Sequence, residues 1–243
     1  MTGAGPAGGT LPETQVQAMF DRIARVYDRM NSVMTAGMHH AWRERAVDLS
    51  LAAPGDRVLD VATGTGDLAL ALARRTGPGG HVVGLDFSER MLELARAKAG
   101  ASAGLRFESG NALELPYGDG EFDAVTVGFG ARNFTDLPRG LAEMVRVARP
   151  GGRLVVLEIT TPERPPLSWF FRAWFDRVVP LMGRLAGDSD AYSYLPSSVR
   201  RFPAAPRLAA ELAGVGLVDV RWLLTAGGII ALHSGTKPES TGS

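Results

Sequence analysis

Apolar positions change their period in a regular way along the chain. Val16, Phe20, Ile23, Tyr27 and Met30 recur every three or four residues, which predicts an amphipathic helix over 10–30. Thr10 and Glu13 have the spacing of a capping box at its start. A second, short helix is expected over 40–49. "PGD" breaks the chain, and Arg57 to Ala62 then form a short apolar run that reads as a strand. From there strand and helix patterns alternate. Helix 68–75 is followed by strand 81–86, a helix capped by Ser88 and running through Lys98, and the strands "LRFES" and "FDAVTVG". Helix 137–148, a turn at "RPGG" and the strand "RLVVLEI" complete this part. The order predicts an α/β fold with a doubly wound, mostly parallel sheet. Strands that are apolar throughout fit a sheet covered on both faces.

The alternation stops over 161–202, where "SWFFRAWFDRVVPLMGRL" is aromatic-rich and helical in pattern. It resumes with a helix near 206–213 and a last strand pair, "LVDVRWLL" and "GGIIALHSG". The expected organisation is a disordered tail (1–12), one domain (13–235) and a flexible end (236–243). Within the domain, 13–50 form an N-terminal helical lid and 161–202 a helical insertion before the final helix–strand–strand unit.

Composition narrows the function classes. The chain is 45% hydrophobic and 21% charged, which is globular, and it has no Cys, which excludes disulfides and thiolate metal sites. Lys+Arg and Asp+Glu balance at 26 each, and adjacent basic residues come only as isolated pairs, Arg74–Arg75 and Arg200–Arg201. No basic stripe is present, so a nucleic-acid partner is not expected. The start, "MTGAGPAGGTLP", lacks the charged and apolar regions of a signal peptide. No apolar run approaches the roughly 18 residues of a membrane span. The expectation is a cytoplasmic protein, with peripheral contact at the inner face of the membrane and a homodimer both left open.

"VLDVATGTGDLA" runs from a strand pattern into a helix pattern. Its glycines allow close backbone approach to a ligand, and the helix start offers free N–H groups. Asp86 ends the next strand, where a carboxylate can accept from a ribose diol. Gly64-x-Gly66-x-x-Ala69 would by itself also suit a dinucleotide. Asp60, ahead of the glycines, suits a cation-bearing ligand better than a pyrophosphate. No Tyr is followed four residues on by Lys, so a short-chain dehydrogenase pair is absent.

With "SGNALELPYGDGEFDAVTV" following, this run resembles the class I S-adenosylmethionine-dependent methyltransferases. The resemblance implies that Gly64, Thr65 and Gly66 line the amino-acid end of S-adenosylmethionine, that Asp86 holds the ribose, and that Asn111 and Ala112 flank the adenine. Segments outside the core resemble one family more closely. "FDRIARVYDRMNSVMTAGMHHAW", "FGARNFTD", "GDSDAYSYLPSSVRRFP" and "LTAGGIIALHSG" are similar to the corresponding stretches of the ubiquinone/menaquinone biosynthesis C-methyltransferases. The likeness spans about Phe20 to Gly235. Thr35 and Gly128 each stand where that family often has Ser, so at Gly128 only a backbone approach to the cofactor carries over.

The activity this implies is methylation of a ring carbon of a polyprenyl quinol, demethylmenaquinol first, with no metal. A ring carbon becomes nucleophilic once a neighbouring hydroxyl loses its proton, so such a site needs in-line positioning, a proton path and a donor for the oxyanion. Arg132 and Asn133 follow the fourth strand, where such donors belong. His39 is a candidate base, as is Asp190, and Tyr27 is an inward-facing candidate on its helix. His40, His81 and His233 read as structural or surface residues. Trp169 to Phe175 place five aromatics in seven residues, either as core packing or as a wall for an isoprenoid tail. A benzoquinol, a soluble aromatic acceptor, or a non-catalytic cofactor-binding role in a complex remain alternatives.

Overall fold

The computed structural model describes residues 12–35, 37–102, 104–162, 165, 167–173 and 189–239. Strand β1 (Arg57–Val61) is central. It pairs in parallel with β2 (His81–Asp86), which pairs with β3 (Leu105–Ser109). On its other side lie β4 (Phe122–Gly128) and then β5 (Ala148–Ile159), also parallel. The final strand β7 (Ile230–Thr236) inserts antiparallel beside β5, and β6 (Val218–Thr225) closes the edge, giving the order β3-β2-β1-β4-β5-β7-β6. The strand order reverses between β1 and β4. A crevice outside their carboxyl ends is where a doubly wound sheet accepts ligands.

Both faces of the sheet are covered. Leu59, Val125 and Leu154 face α5 (Leu137–Val147) and α8 (Ala205–Gly214) through Leu141, Met144, Leu208 and Leu212. Val58, Val82, Ala124 and Val155 face α2 (His39–Ser50), α3 (Asp67–Thr76) and α4 (Glu89–Ala99) through Ala46, Leu72 and Leu92. Adjacent strand residues serve opposite faces, as the two-residue period of a strand requires. Ser88 caps α4 by accepting from the Met91 amide at 3.1 Å.

Several boundaries differ from expectation. Helix α1 (Glu13–Met34) runs a full turn beyond Met30, and its N-cap is Pro12, with no side-chain cap. The expected Thr10 partner lies outside the described residues. "RPGG" is not a turn ahead of the strand: β5 starts at Ala148 and passes through it, because the Gly151 and Lys237 backbones bond at 2.9 Å. The expected closing strand pair is present as β6 and β7, but a short 3₁₀ turn (Ala226–Gly228) joins them, so β7 starts at Ile230 and not at the first glycine of "GGIIALHSG". The ordered chain also passes residue 235. Lys237 donates from Nζ to the carbonyls of Arg146 (3.1 Å) and Ala148 (2.8 Å). In the insertion, α6 (Leu167–Ala173) and α7 (Ser189–Arg201) are helical, with Pro196 inside α7. Trp174, Phe175 and Arg177 lie outside the described residues.

Gly66 shows how tightly the glycine turn is bound to the core. Its φ is +82°, and a Cβ there would stand 2.8 Å from the Phe107 ring. Strain and overlap add, so Gly66→Ala is expected to cost about 1–3 kcal/mol of stability. Urea denaturation of the two proteins measures it; an unchanged midpoint would mean that Phe107 moves aside freely.

Candidate active site

The glycine turn joins β1 to α3 at the switch point. Asp60, the fourth residue of β1, is buried and accepts from the hydroxyls of Thr63 (2.6 Å) and Thr126 (2.8 Å). Burial raises its pKa to about 6 against those hydrogen bonds. Asp86 ends β2, also buried, and accepts from the amides of Gly64 (2.8 Å) and Ser88 (2.9 Å). Burial raises it too to about 6, with those amides pulling the other way. Each carboxylate oxygen retains lone-pair capacity for a ligand hydroxyl.

Gly64 has a φ of +57°, and a Cβ on it would meet nothing within 4 Å: its face is turned to open space. That space is a cleft of about 900 Å³, lined by Asp60, Gly64, Thr65, Asp86, Asn111, Ala112 and Gly128 together with aromatic side chains including Phe87 and Phe134. Of the expected cofactor residues, only Gly66 is not on its wall; it shapes the turn from behind. Asn111 is not at the end of β3. It lies two residues beyond, in a turn where its side chain accepts from the Leu113 amide at 2.8 Å.

Helix α1 crosses the carboxyl ends of β1 and β2 and is tied down at three levels. Gln17 donates to the Phe87 carbonyl (2.6 Å), the Ser88 hydroxyl donates to Asp21 (2.5 Å), and the Thr65 hydroxyl donates to Asp28 (2.5 Å). Lys98 bridges Asp28 (2.7 Å) and Asp67 (2.6 Å).

A second cavity of about 1470 Å³ lies under α1 and α2. Its wall is largely apolar, with Met19, Ile23, Trp42, Ile159, Phe171 and Leu195 among its residues. Phe20, Tyr27, Arg43 and Phe129 line both spaces, so the two share a wall. Arg132 lines the second cavity and is 7% exposed. It forms a buried ion pair with Glu158 (2.8 Å), whose other oxygen accepts from the Arg132 amide (3.2 Å), and Nη1 also donates to the Phe129 carbonyl. Burial opposes its charge, but Glu158 more than compensates and holds the guanidinium pKa above its usual value. The Arg132 Nε is buried with no hydrogen-bond partner among the described residues. An orphaned buried donor on a cavity wall marks a place for an acceptor.

The other catalytic candidates are placed unequally. Asn133 lines the cofactor-side cleft and accepts from the Tyr194 hydroxyl at 3.2 Å. Tyr27 is half-buried at the junction of the two spaces. His39 lines the second cavity, but both ring nitrogens are engaged: Nδ1 by Arg43, and Nε2 with the Ser32 hydroxyl at 3.2 Å. Burial, then the Arg43 charge, lowers its pKa to about 4, so it is neutral at pH 7 and a weak base. Asp190 falls in α7, with its side chain outside the described residues. The aromatic run divides: Phe171 is buried on the cavity wall, whereas Trp169 is 63% exposed.

Sequence reasoning missed Glu158 and Arg43. For Glu158 a signal existed, since it is the one acid in the apolar run "RLVVLEI", at the carboxyl end of a buried strand. Arg43 had none beyond its place four residues after His39.

The chain matches the profile of the ubiE/COQ5 methyltransferase family over residues 9–237. It belongs to that family. A demethylmenaquinone methyltransferase of Thermus thermophilus is 48% identical over 90% of this chain and 100% of its own length. A demethylmenaquinone methyltransferase of Deinococcus radiodurans is 48% identical over 96% of this chain and 97% of its own length. Among solved structures, an S-adenosylmethionine-dependent methyltransferase from Aquifex aeolicus superposes with a TM-score of 0.57 at 18% identity, covering 80% of this chain and 88% of that one. That likeness shows the fold. The protein is thus a class I methyltransferase that uses S-adenosylmethionine. The cleft fits that cofactor: it offers buried acids and a glycine face open to a ligand.

Asp86→Asn keeps an oxygen for the Gly64 or Ser88 amide but removes the charge. Cofactor affinity is expected to fall about 10- to 100-fold, the worth of a charge-assisted hydrogen bond. Calorimetric titration measures it, and an unchanged Kd would remove Asp86 from the cofactor contacts. In the wild type, affinity should rise as pH climbs through about 6, where Asp60 and Asp86 ionise, and level off above. The sign follows because the cofactor carries a net positive charge and favours the ionised carboxylates.

Proposed function

We propose that this methyltransferase transfers the methyl group of S-adenosylmethionine to a ring carbon of a polyprenyl quinol, demethylmenaquinol first. The observation that carries the reading is the shared wall. A cleft bearing buried acids abuts a larger apolar cavity, and a buried arginine whose Nε has no partner among the described residues stands on the latter. A ligand with a long apolar tail and an anionic ring oxygen matches that second space. The names of the Thermus and Deinococcus relatives support the naphthoquinol ring.

The cofactor supplies a methyl group on a sulfonium, open to in-line attack. The chain's residues do the rest. Arg132 holds the quinol oxygen as its proton leaves, and Glu158 fixes the guanidinium that does so. Asn133, oriented by Tyr194, holds the opposite edge of the ring. Tyr27 and Phe129 bring the ring carbon to the cofactor cleft. Methylation there would break the cofactor's methyl–sulfur bond and leave the thioether, release the ring carbon's hydrogen as the one net proton, and return a proton to the oxygen that Arg132 holds. Positioning supplies most of the acceleration, since effective molarities reach about 10⁵–10⁸ M. Helices α1 and α2 act as a lid, while α6 and α7 give the tail its wall through Phe171, Tyr194 and Leu195. Among the described residues no helix is long and apolar enough to cross a membrane. Exposed Trp169 and Leu167 on α6 support a peripheral contact there, by which the lipid-borne quinol enters.

The test is the purified protein with labelled S-adenosylmethionine and reduced demethylmenaquinol, beside a benzoquinol of equal tail length. Label is expected on the naphthoquinol ring. Cofactor binding without transfer to either quinol would favour a non-catalytic role, and preference for the benzoquinol would move the protein to the other quinone pathway.

A further inference from the structure

We propose that Arg43 of α2 is the receptor for the carboxylate of the bound cofactor. The inference rests on the methyltransferase reading and adds a residue outside the glycine turn. The cofactor's amino-acid end carries a carboxylate and an ammonium, and both must be met in a largely dry cleft. Three carboxylates line that cleft, Asp60, Asp67 and Asp86, and among the described residues Arg43 is the one Lys or Arg on its wall. A ligand carboxylate placed among those acids without a cation would be repelled and left without a partner, which is costly in a buried site. The second nearby cation, Lys98, is committed to Asp28 and Asp67 and is not on the wall.

Arg43 is built for the task. It is 8% exposed, and its guanidinium lies over the Phe129 ring, 5.7 Å from the ring centre. Nη1 meets His39 Nδ1, one turn earlier on the same helix, and Nη2 meets Asp67 at 3.4 Å. A guanidinium has five N–H donors, so these contacts leave others for a ligand. The Asp67 contact is long, beyond the usual 2.7–3.2 Å for such bonds, and a ligand carboxylate can share or replace it. His39, kept neutral, accepts from the guanidinium instead of repelling it. The "HHAWR" segment thereby gains a role: His39 positions Arg43, and Arg43 holds the cofactor. Arg43 also lines the second cavity, so the cofactor end and the acceptor wall share this side chain.

The test compares S-adenosylmethionine with its decarboxylated form, which keeps the adenosine, the sulfonium and the amine. Binding of each is measured by calorimetry on the full chain, for wild type, Arg43→Met and Arg43→Lys. Wild type should prefer the intact cofactor by about 10- to 100-fold. Arg43→Met should lose that preference, binding the decarboxylated form within about twofold of wild type, and Arg43→Lys should keep part of it. Equal losses for both ligands would mean that Arg43 only supports the fold and would overturn the proposal. So would unchanged cofactor binding with a raised KM for the quinol. If wild type bound neither ligand, the methyltransferase reading itself would fail.

Discussion

Arg132→Lys is expected to lower kcat by about 10²–10³ while leaving cofactor affinity within a few fold of wild type. The lysine keeps a cation for Glu158, so the buried pair survives in charge. It loses the planar fork, and with it Nε, the donor that has no partner among the described residues. If that nitrogen holds the quinol oxygen as charge develops, its loss falls on the transition state, so kcat drops and the cofactor Kd does not. Single-turnover methyl transfer beside calorimetric cofactor titration separates the two. A tenfold or greater loss of cofactor affinity with kcat unchanged would invert the assignment and make Arg132 a cofactor residue. The comparison with Asp86→Asn completes the division: that change should act on Kd, this one on turnover.

What the sequence made legible was what local backbone chemistry dictates. Gly66 is required by its φ of +82° and the Phe107 ring beside it, Gly64 is favoured by a φ of +57°, and Asp86 ends a strand, from which it accepts from the Gly64 amide. Those demands lie within a strand–turn–helix unit, and so does their signature. The acceptor side was only half legible. Arg132 was visible from its place after β4, but its partner is 26 residues away on β5, and the pairing exists only once the strands are adjacent. In the sequence His39 is a candidate base because an isolated histidine has a suitable reference pKa. Burial and the neighbouring arginine removed that suitability, and neither is encoded in local pattern. Arg43 looked like one more arginine in an arginine-rich chain. Its meaning depends on three aspartates drawn from the ends of β1, β2 and α3.

Glu158→Leu is expected to destabilise the protein more than any substitution at the cofactor cleft. Glu158 is 1% exposed, and it neutralises a guanidinium that is itself 7% exposed. Removing the acid leaves a buried charge uncompensated, at about 3–5 kcal/mol. It also deprives the amides of Arg132 and Ile159 of their acceptor. For a domain of this size each kcal/mol moves Tm by about 2–4 °C, so the fall should be roughly 6–20 °C. The double variant Glu158→Leu/Arg132→Met removes both charges and should regain more than half of the lost Tm, because an apolar pair of similar volume often replaces a buried ion pair without loss. It should regain no methyl transfer. Recovery of stability without activity is the outcome that ties the pair to the chemistry, since a purely structural ion pair replaced by a sound apolar contact would restore both. A double variant as unstable as Glu158→Leu would instead place the cost in the two orphaned amides, and the stabilising role of Glu158 would then belong to the backbone of the β4–α5 turn and of the end of β5.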